Sequence, residues 1–138
     1  MTEQKIFAHL AVNDGAAAVE FYKKGLGANV EQQMFAEDKT RIMHADLSVN
    51  GSRFLLHDDF PEHRSQFSKA AWSPKMIGGT SVTIHLEVDD CDAIHKRMVD
   101  AGATSIMDPA DMFWGARYGQ VIDPFGHVWS FSHALKRG

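Results

Sequence analysis

The chain carries the same short pattern twice, and this internal repeat constrains its fold more strongly than any other feature of the sequence. The segments AHLAVND at 8–14 and IHLEVDD at 84–90 share the pattern H-L-x-V-x-D at an offset of 76 residues. A triplet with a central glycine follows each of them, LGA at 26–28 and AGA at 101–103, at an offset of 75 residues. Because the matching patterns recur in the same order, the sequence predicts two copies of one structural module.

Each copy is predicted to contain one strand, one helix and three further strands, in that order. Gly51 and Gly126 keep the offset of 75 residues, and each stands directly before a strand-like run. The first module is expected at 5–58 and the second at 81–133, joined by a long connecting loop at 59–79. The predicted fold class is α+β, with two tandem βαβββ modules in a single domain of 138 residues. The expected strands lie at 5–12, 29–37, 41–49, 52–58, 81–88, 104–113, 117–122 and 127–133, and the expected helices at 15–25 and 91–101.

The ends of the two helices carry residues that favour starting and stopping a helix. Asp14 and Asp90 stand where an N-cap is needed, and their carboxylates are expected to accept hydrogen bonds from the first free amides of each helix. Gly27 and Gly102 are expected to end the helices in the left-handed conformation. The segment Asp123–Gly126, with sequence DPFG, is typical of a type I turn.

Composition excludes several classes of function. The net charge of −4 and the scatter of both signs argue against nucleic-acid binding, which usually demands a basic patch. The N-terminus lacks a secretory signal, and no run approaches the roughly 18 apolar residues of a membrane span. Cys91 is the only cysteine, so no internal disulfide forms, and it has no obvious partner that would make it a catalytic thiol. The chain is therefore expected to be cytoplasmic.

Alternation along the strands gives each sheet an apolar face and a polar face. The apolar face is expected to pack on the helices. The polar face either lies in solvent or lines a concave site, and its histidines and arginines, without any lysine, favour the site. The apolar set is Ile6, Ala8, Leu10, Val12, Phe54, Leu56, Val82, Ile84, Leu86, Val88, Trp129 and Phe131; the polar set is Phe7, His9, Ala11, His44, Asp46, Arg53, Leu55, His57, Thr83, His85, Glu87, Arg117, Val128, Ser130 and Ser132.

The duplicated module and the segment FWGARYGQVIDPFGHVWSF at 113–131 resemble the vicinal oxygen chelate superfamily, and within it the PhnB-like proteins of the glyoxalase/bleomycin resistance/dioxygenase type. The resemblance covers nearly the whole chain. It implies two modules that form a curved, half-open barrel-like mixed sheet with helices on the outer face. It also implies a site on the concave face and, commonly, a homodimer.

Family enzymes hold a divalent metal between four inward residues, usually His, Gln or Glu, from the first and last strand of each module. The matching positions here hold no good ligand, so the usual metal site is missing; they are Phe7, Leu55, Thr83 and Ser130. Two residues further along these strands stand Ser132 and the three histidines His9, His57 and His85. They form either a displaced ring for one divalent ion such as zinc, or the hydrogen-bonding lining of a polar pocket.

Other residues of the polar face suggest roles in ligand binding. Arg117, assisted by Arg53, is expected to bind a carboxylate or phosphate, because a planar guanidinium can donate two parallel hydrogen bonds to these groups. The alternative for Arg117 is an ion pair with Asp46 or Glu87 across the cavity. Glu87 or a histidine is the candidate base, and Trp114 is expected at the rim of the pocket.

These expectations lead to one main functional hypothesis and two rivals. The protein is expected to bind a small polar or anionic organic molecule in its concave cavity. As an enzyme of the lyase, isomerase or dioxygenase type, it would use a metal or a histidine to polarise the bound molecule. The first rival is a metal-free protein that binds and sequesters a ligand, as relatives of the bleomycin-resistance type do. The second is an interaction module whose polar face meets a protein partner. Fold alone does not decide between them.

Overall fold

The computed structural model describes residues 3–63 and 70–136, which form eight strands in two four-stranded sheets. The first module contains β1 (Ala8–Val12), α1 (Gly15–Leu26), β2 (Asn29–Phe35), β3 (Ile42–Val49) and β4 (Ser52–Asp58). The second contains β5 (Thr83–Glu87), α3 (Cys91–Ala101), β6 (Thr104–Asp111), β7 (Ala116–Ile122) and β8 (Val128–Ala134). The predicted α+β class with βαβββ modules is confirmed.

Both sheets have the same strand order. The first sheet runs β1-β4-β3-β2 and the second runs β5-β8-β7-β6, and neither closes into a barrel. In each sheet the first and last strands of the module are parallel neighbours, while the other pairs are antiparallel. His9 faces Leu55 across its ladder, and His85 faces Ser130 at the equivalent place in the other sheet. The sequence repeat is therefore a repeat of strand register.

The predicted helix ends are present. The Asp14 carboxylate accepts a hydrogen bond from the Ala17 amide, and the Asp90 carboxylate accepts one from the Ala93 amide, each at 3.1 Å. Gly27 ends α1 in the left-handed conformation, with φ of 67° and ψ of 28°. Gly102 ends α3 at φ of 132°, which is also a backbone angle that favours glycine but lies outside the left-handed helical region.

Two expectations about the starts of strands are corrected. Ile6 and Val82 do not pack on the helices: 99% and 63% of their surfaces are exposed. The first ladder pairs are formed by Ala8 and Thr83, so the residues before them have no neighbouring strand to hold them against the core.

The connection between the modules is also more regular than a loop. It contains a short 3₁₀ helix, Pro61–His63, and the one-turn helix α2, Pro74–Ile77, which Ser73 caps through the Met76 amide. Part of the expected loop, 64–69, lies outside the described residues. Within the described part of the chain, no helix is long and apolar enough to cross a membrane.

The apolar faces of both sheets share one core with the two long helices. Phe54, Leu56, Trp129 and Phe131 are buried, as the alternation predicts. Tyr22 of α1 stands between the modules, with its ring centroid 5.3 Å from that of Phe54 and 5.4 Å from that of Trp129. The polar faces of the sheets consequently point away from the helices.

A buried carboxylate, that of Asp123, ties the modules together. It accepts hydrogen bonds from the Tyr22 hydroxyl at 2.6 Å and from the Trp129 indole N–H at 2.8 Å. The amides of Phe125 and His127 donate to its other oxygen at 2.9 and 3.0 Å. The backbone of Asp123 also closes the predicted turn by accepting from the Gly126 amide at 3.1 Å. One side chain thus shapes the β7–β8 turn and fixes α1 against β8.

Replacing Asp123 by Asn should lower the free energy of unfolding by about 3 kcal/mol, because an amide nitrogen would face a donor that has no other acceptor. Tyr22→Phe removes one charge-assisted hydrogen bond and should cost about 2 kcal/mol. The matched control is Asp100→Asn on the exposed face of α3, with an expected change within about 0.5 kcal/mol. Urea unfolding measures all three. A change in Asp123→Asn as small as that of the control would contradict this account.

Candidate functional site

The open face of the first sheet carries a cluster of three histidines. The His9 ring lies 4.9 Å from that of His57 and 5.9 Å from that of His44, both in edge-to-face arrangement. The register of β1 and β4 makes His9 and His57 diagonal neighbours, since His57 lies opposite Ala11. The Nδ1–H of His57 donates to the Asp58 carbonyl oxygen at 2.8 Å, which orients that ring.

The neutral form of His9 is favoured within this cluster. Partial burial lowers the pKa of His9 below its usual value, and the nearby His57 and His44 lower it further. His9 therefore favours a neutral imidazole at the centre of the cluster.

Arg53 lies on the same open face, as predicted, but it has a carboxylate partner. Its guanidinium forms an ion pair with Asp46, whose side chain is almost fully buried, and lies 4.9 Å from the centre of the Phe7 ring. Hydrogen bonding to Asp46 raises the pKa of Arg53 above its usual value. Asp46 therefore neutralises the charge that Arg53 brings to this face.

The open face of the second sheet is centred on His85. Both of its ring nitrogens are engaged by serine hydroxyls: Nδ1 lies 2.7 Å from Ser130 Oγ and Nε2 lies 3.0 Å from Ser132 Oγ. The His85 ring stacks nearly parallel to the Tyr118 ring, at a centroid distance of 6.0 Å. Trp114 contacts Tyr118 at 5.9 Å in a T-shaped arrangement, and Glu87 is exposed two residues after His85.

The structure does not bring the predicted metal ring together. His9 and His57 belong to the first sheet, whereas His85 belongs to the second and has both nitrogens occupied by serines. Among residues 3–63 and 70–136, no group of three or more His, Cys, Asp or Glu side chains is arranged to hold a metal ion. Equivalent positions in a repeat need not be neighbours, because the two sheets share no ladder. The residues present therefore do not fit the metal that the family implies.

Arg117 does not point into the concave face, which corrects the prediction. In the β7 strand it shares a face with Val121, which is fully buried in the core, and it pairs in register with His133. Its guanidinium binds Asp92 of α3 and Asp111 of β6, each with a closest contact of 3.0 Å. The partners expected across the cavity, Asp46 and Glu87, are therefore not the ones it has.

Tyr118 and Gln120 occupy the open face instead, and the sequence reasoning missed them. Tyr118 pairs with Ser132 and Gln120 with Ser130, and the Gln120 amide donates to the Tyr118 hydroxyl at 2.9 Å. The signal was present in the alternate positions. Gly119 and Val121 are small or apolar and suit the packed face of β7. Tyr118 and Gln120 alternate with them and therefore face outwards.

One cavity contains polar residues from both modules. It has a volume of about 540 Å³ and runs along the edge strand β5. Arg53, His85 and Glu87 line it together with apolar side chains of the core, including Phe54, Ile84 and Trp129. His57 instead lines a separate space near Phe60 and His63.

Comparison with known proteins gives relatives over nearly the full length of the chain. An uncharacterised protein of Mycobacterium bovis is 40% identical over 97% of this chain and 86% of its own length, and one of Mycobacterium tuberculosis is 40% identical over 97% and 76%. Among solved structures, a gene product of Arabidopsis thaliana has a TM-score of 0.71 at 27% identity, covering 95% of this chain and 99% of its own. TioX from Micromonospora has a TM-score of 0.72 at 25% identity, covering 96% and 100%.

A glyoxalase-related enzyme of Fulvimarina pelagi shares the fold at a TM-score of 0.73 and 19% identity, over 96% of this chain and 88% of that one. Residues 6–131 match the model of the Glyoxalase/Bleomycin resistance protein/Dioxygenase superfamily. Together with the duplicated strand order, this match shows that the chain belongs to that family, the vicinal oxygen chelate superfamily.

Proposed function

We propose that this protein binds a small polar organic molecule in the cavity along β5, through its own side chains and without a resident metal. The observation that carries the proposal is that Arg53 of one module and His85 and Glu87 of the other line the same cavity. Its volume of about 540 Å³ falls within the range of small-molecule sites, about 300–1,000 Å³. An apolar floor with a few convergent polar groups is the usual composition of such sites.

The state of His85 supports binding by side chains. Ser130 and Ser132 hold its ring from both sides, so the imidazole is fixed as a contact surface and neither nitrogen is directed at a metal. The four positions from which family enzymes bind metal carry Phe7, Leu55, Thr83 and Ser130. The chemistry of these residues favours the metal-free binding hypothesis over metal-assisted catalysis.

Glu87 supports a catalytic version of the same proposal. Its carboxylate is exposed and lines the same cavity as His85. It is the group placed to remove a proton from a ligand that carries an acidic one. Conversion of a bound molecule by the native protein and its loss in Glu87→Gln would identify this activity.

A binding screen tests the proposal directly. Protein purified without added metal or a nickel column should contain no stoichiometric metal, and its melting temperature should rise with members of a panel of small alcohols, amines, carboxylates and aromatic alcohols. Calorimetry should then show that His85→Ala weakens binding of the best molecule about fivefold to tenfold, which corresponds to the loss of one ring contact. His44→Ala, on the other open face, is the control and should bind as the native protein does. One metal per chain, or equal affinity in His85→Ala, would refute the proposal.

We also propose that the protein works as a homodimer, as relatives in this family often do. Supporting this, the edge strands β2 and β6 expose large apolar side chains. Met34 and Phe35 are 48% and 46% exposed, and Ile106 and Met107 are 48% and 38% exposed. Exposed apolar surface of this kind is typical of protein interfaces.

Light scattering coupled to size exclusion should give twice the 15.4 kDa mass of one chain. Phe35→Glu and Ile106→Glu should each shift the protein towards monomer, because a carboxylate would be buried without a partner. Met76→Glu, on the exposed side of α2, should leave the dimer unchanged. A monomeric native protein, or a dimer that survives both substitutions, would contradict this interface.

A further inference from the structure

Aromatic side chains form a continuous row beside the cavity, on the open face of the second sheet. The row begins with His85 at the cavity, continues through Tyr118 and ends with Trp114 in the β6–β7 turn. Phe113 extends it outwards, with its ring 5.1 Å from that of Trp114. Trp114 is 56% exposed and Phe113 is 98% exposed, so a large aromatic surface is open to a ligand.

We propose that this aromatic row binds a planar, aromatic, uncharged or cationic part of the ligand. The inference rests on the proposed function and names the chemical class of the molecule that the site takes. His85 links the two regions, since it lines the cavity and also stacks on Tyr118. A molecule with a polar part in the cavity can therefore place a flat ring on the row.

The orientation of the rings suits a flat ligand. The planes of His85 and Tyr118 differ by only 18°, so a flat molecule that lies parallel to one lies nearly parallel to the other. Trp114 stands at 73° to Tyr118 and closes one side of this surface. Offset-stacked and edge-to-face contacts are the arrangements that aromatic rings prefer, and this corner offers both to the same ligand.

The row is also held in place before any ligand arrives. Ser130 and Ser132 fix the His85 ring, and Gln120 donates to the Tyr118 hydroxyl. The turn that carries Trp114 is closed by hydrogen bonds from the Met112 amide to the Ala116 carbonyl and from the Gly115 amide to the Met112 carbonyl, at 2.8 and 3.1 Å. Binding to rings that are already oriented loses little conformational entropy.

The charges near the row favour a ligand that is not an anion. Both arginines that are predicted from the sequence to bind an anion have carboxylate partners: Arg53 pairs with Asp46, and Arg117 pairs with Asp92 and Asp111. Glu87, at the same cavity as His85, brings a further carboxylate. An anionic ring would therefore meet a carboxylate while the guanidinium groups are already neutralised.

Three matched probes separate ring stacking from hydrophobic burial and from charge. They are naphthalene-2-methanol, its saturated counterpart decahydronaphthalene-2-methanol, and 2-naphthoate. The saturated molecule is at least as apolar as the aromatic one, so a preference for the aromatic alcohol reports stacking. Calorimetry on the full chain should show naphthalene-2-methanol binding at least about fivefold tighter than either of the other two.

Substitutions in the row locate the site. Trp114→Ala should weaken binding of naphthalene-2-methanol about tenfold, or about 1.4 kcal/mol, and Tyr118→Leu should weaken it similarly. Phe60→Leu removes an aromatic ring from the connection between the modules, where Phe60 lines a separate space with His57, and should not change the affinity. Because Trp114 is exposed in a turn, its truncation should leave the unfolding midpoint unchanged, which keeps the comparison valid if Tyr118→Leu is unstable.

The outcomes separate this inference from the proposed function. Equal binding of the saturated alcohol, or no effect of Trp114→Ala, overturns the aromatic row as a site. The proposed function still stands in that case if polar molecules bind and His85→Ala weakens their binding. Conversion of a dimer to a monomer by Trp114→Ala would show that a second copy covers the row, which also overturns the inference. If no molecule of the panel or the probe set binds, both proposals fail.

Discussion

The arrangement of the two modules depends on the buried carboxylate of Asp123. A carboxylate in the core is tolerated only when hydrogen-bond donors surround it, and here two side chains and two amides supply them. Since one donor is Tyr22 of α1 and another is Trp129 of β8, the carboxylate fixes the first module against the second. Burial raises the pKa of Tyr22 well above its usual value, and the proximity of Asp123 raises it further, so the phenol keeps the proton that it donates. The position of the cavity wall depends on this arrangement, because Trp129 and Phe54, whose ring contacts Tyr22, form part of the wall.

The fold could be predicted from the sequence because its signals are local and occur twice. Asp14 and Asp90 cap the helices as their positions indicate, and the apolar alternation at Phe54, Leu56, Trp129 and Phe131 identifies the core face. The prediction failed on β7, where the face of every residue depends on the phase assigned to the strand. The charge of Arg117 suggests a site residue. However, Arg117 lies on the same side of β7 as the buried Val121, and this side packs on α3. Register shifts also interrupt the pairing of β6 with β7, so residue alternation along the strands does not predict which residues of β6 and β7 are partners.

The candidate metal ring failed for a different reason. An internal repeat establishes that His9 and His85 are equivalent, but equivalence says nothing about the distance between them. That distance depends on how the modules pack, and the packing rests on long-range contacts such as Tyr22 with Asp123, which are 101 residues apart in the sequence. The serines that engage His85 were visible in the sequence as Ser130 and Ser132, and their effect became clear only from the parallel register of β5 and β8.

Three arginines in the described part of the chain are used for structure, and this bears on the kind of ligand that the proposed site would select. Arg41 pairs with Asp38 and Glu62, Arg53 pairs with Asp46, and Arg117 joins α3 to β6 through Asp92 and Asp111. In the proposed site, selection would fall to groups of fixed orientation and little charge, which are the rings of His85, Tyr118 and Trp114 and the hydroxyls around them. Contacts of this kind discriminate by shape and planarity, and salt screens them far less than it screens ion pairs between exposed charges. On a fold whose family members often use a divalent metal, the proposed site would owe its specificity to the orientation of its aromatic rings.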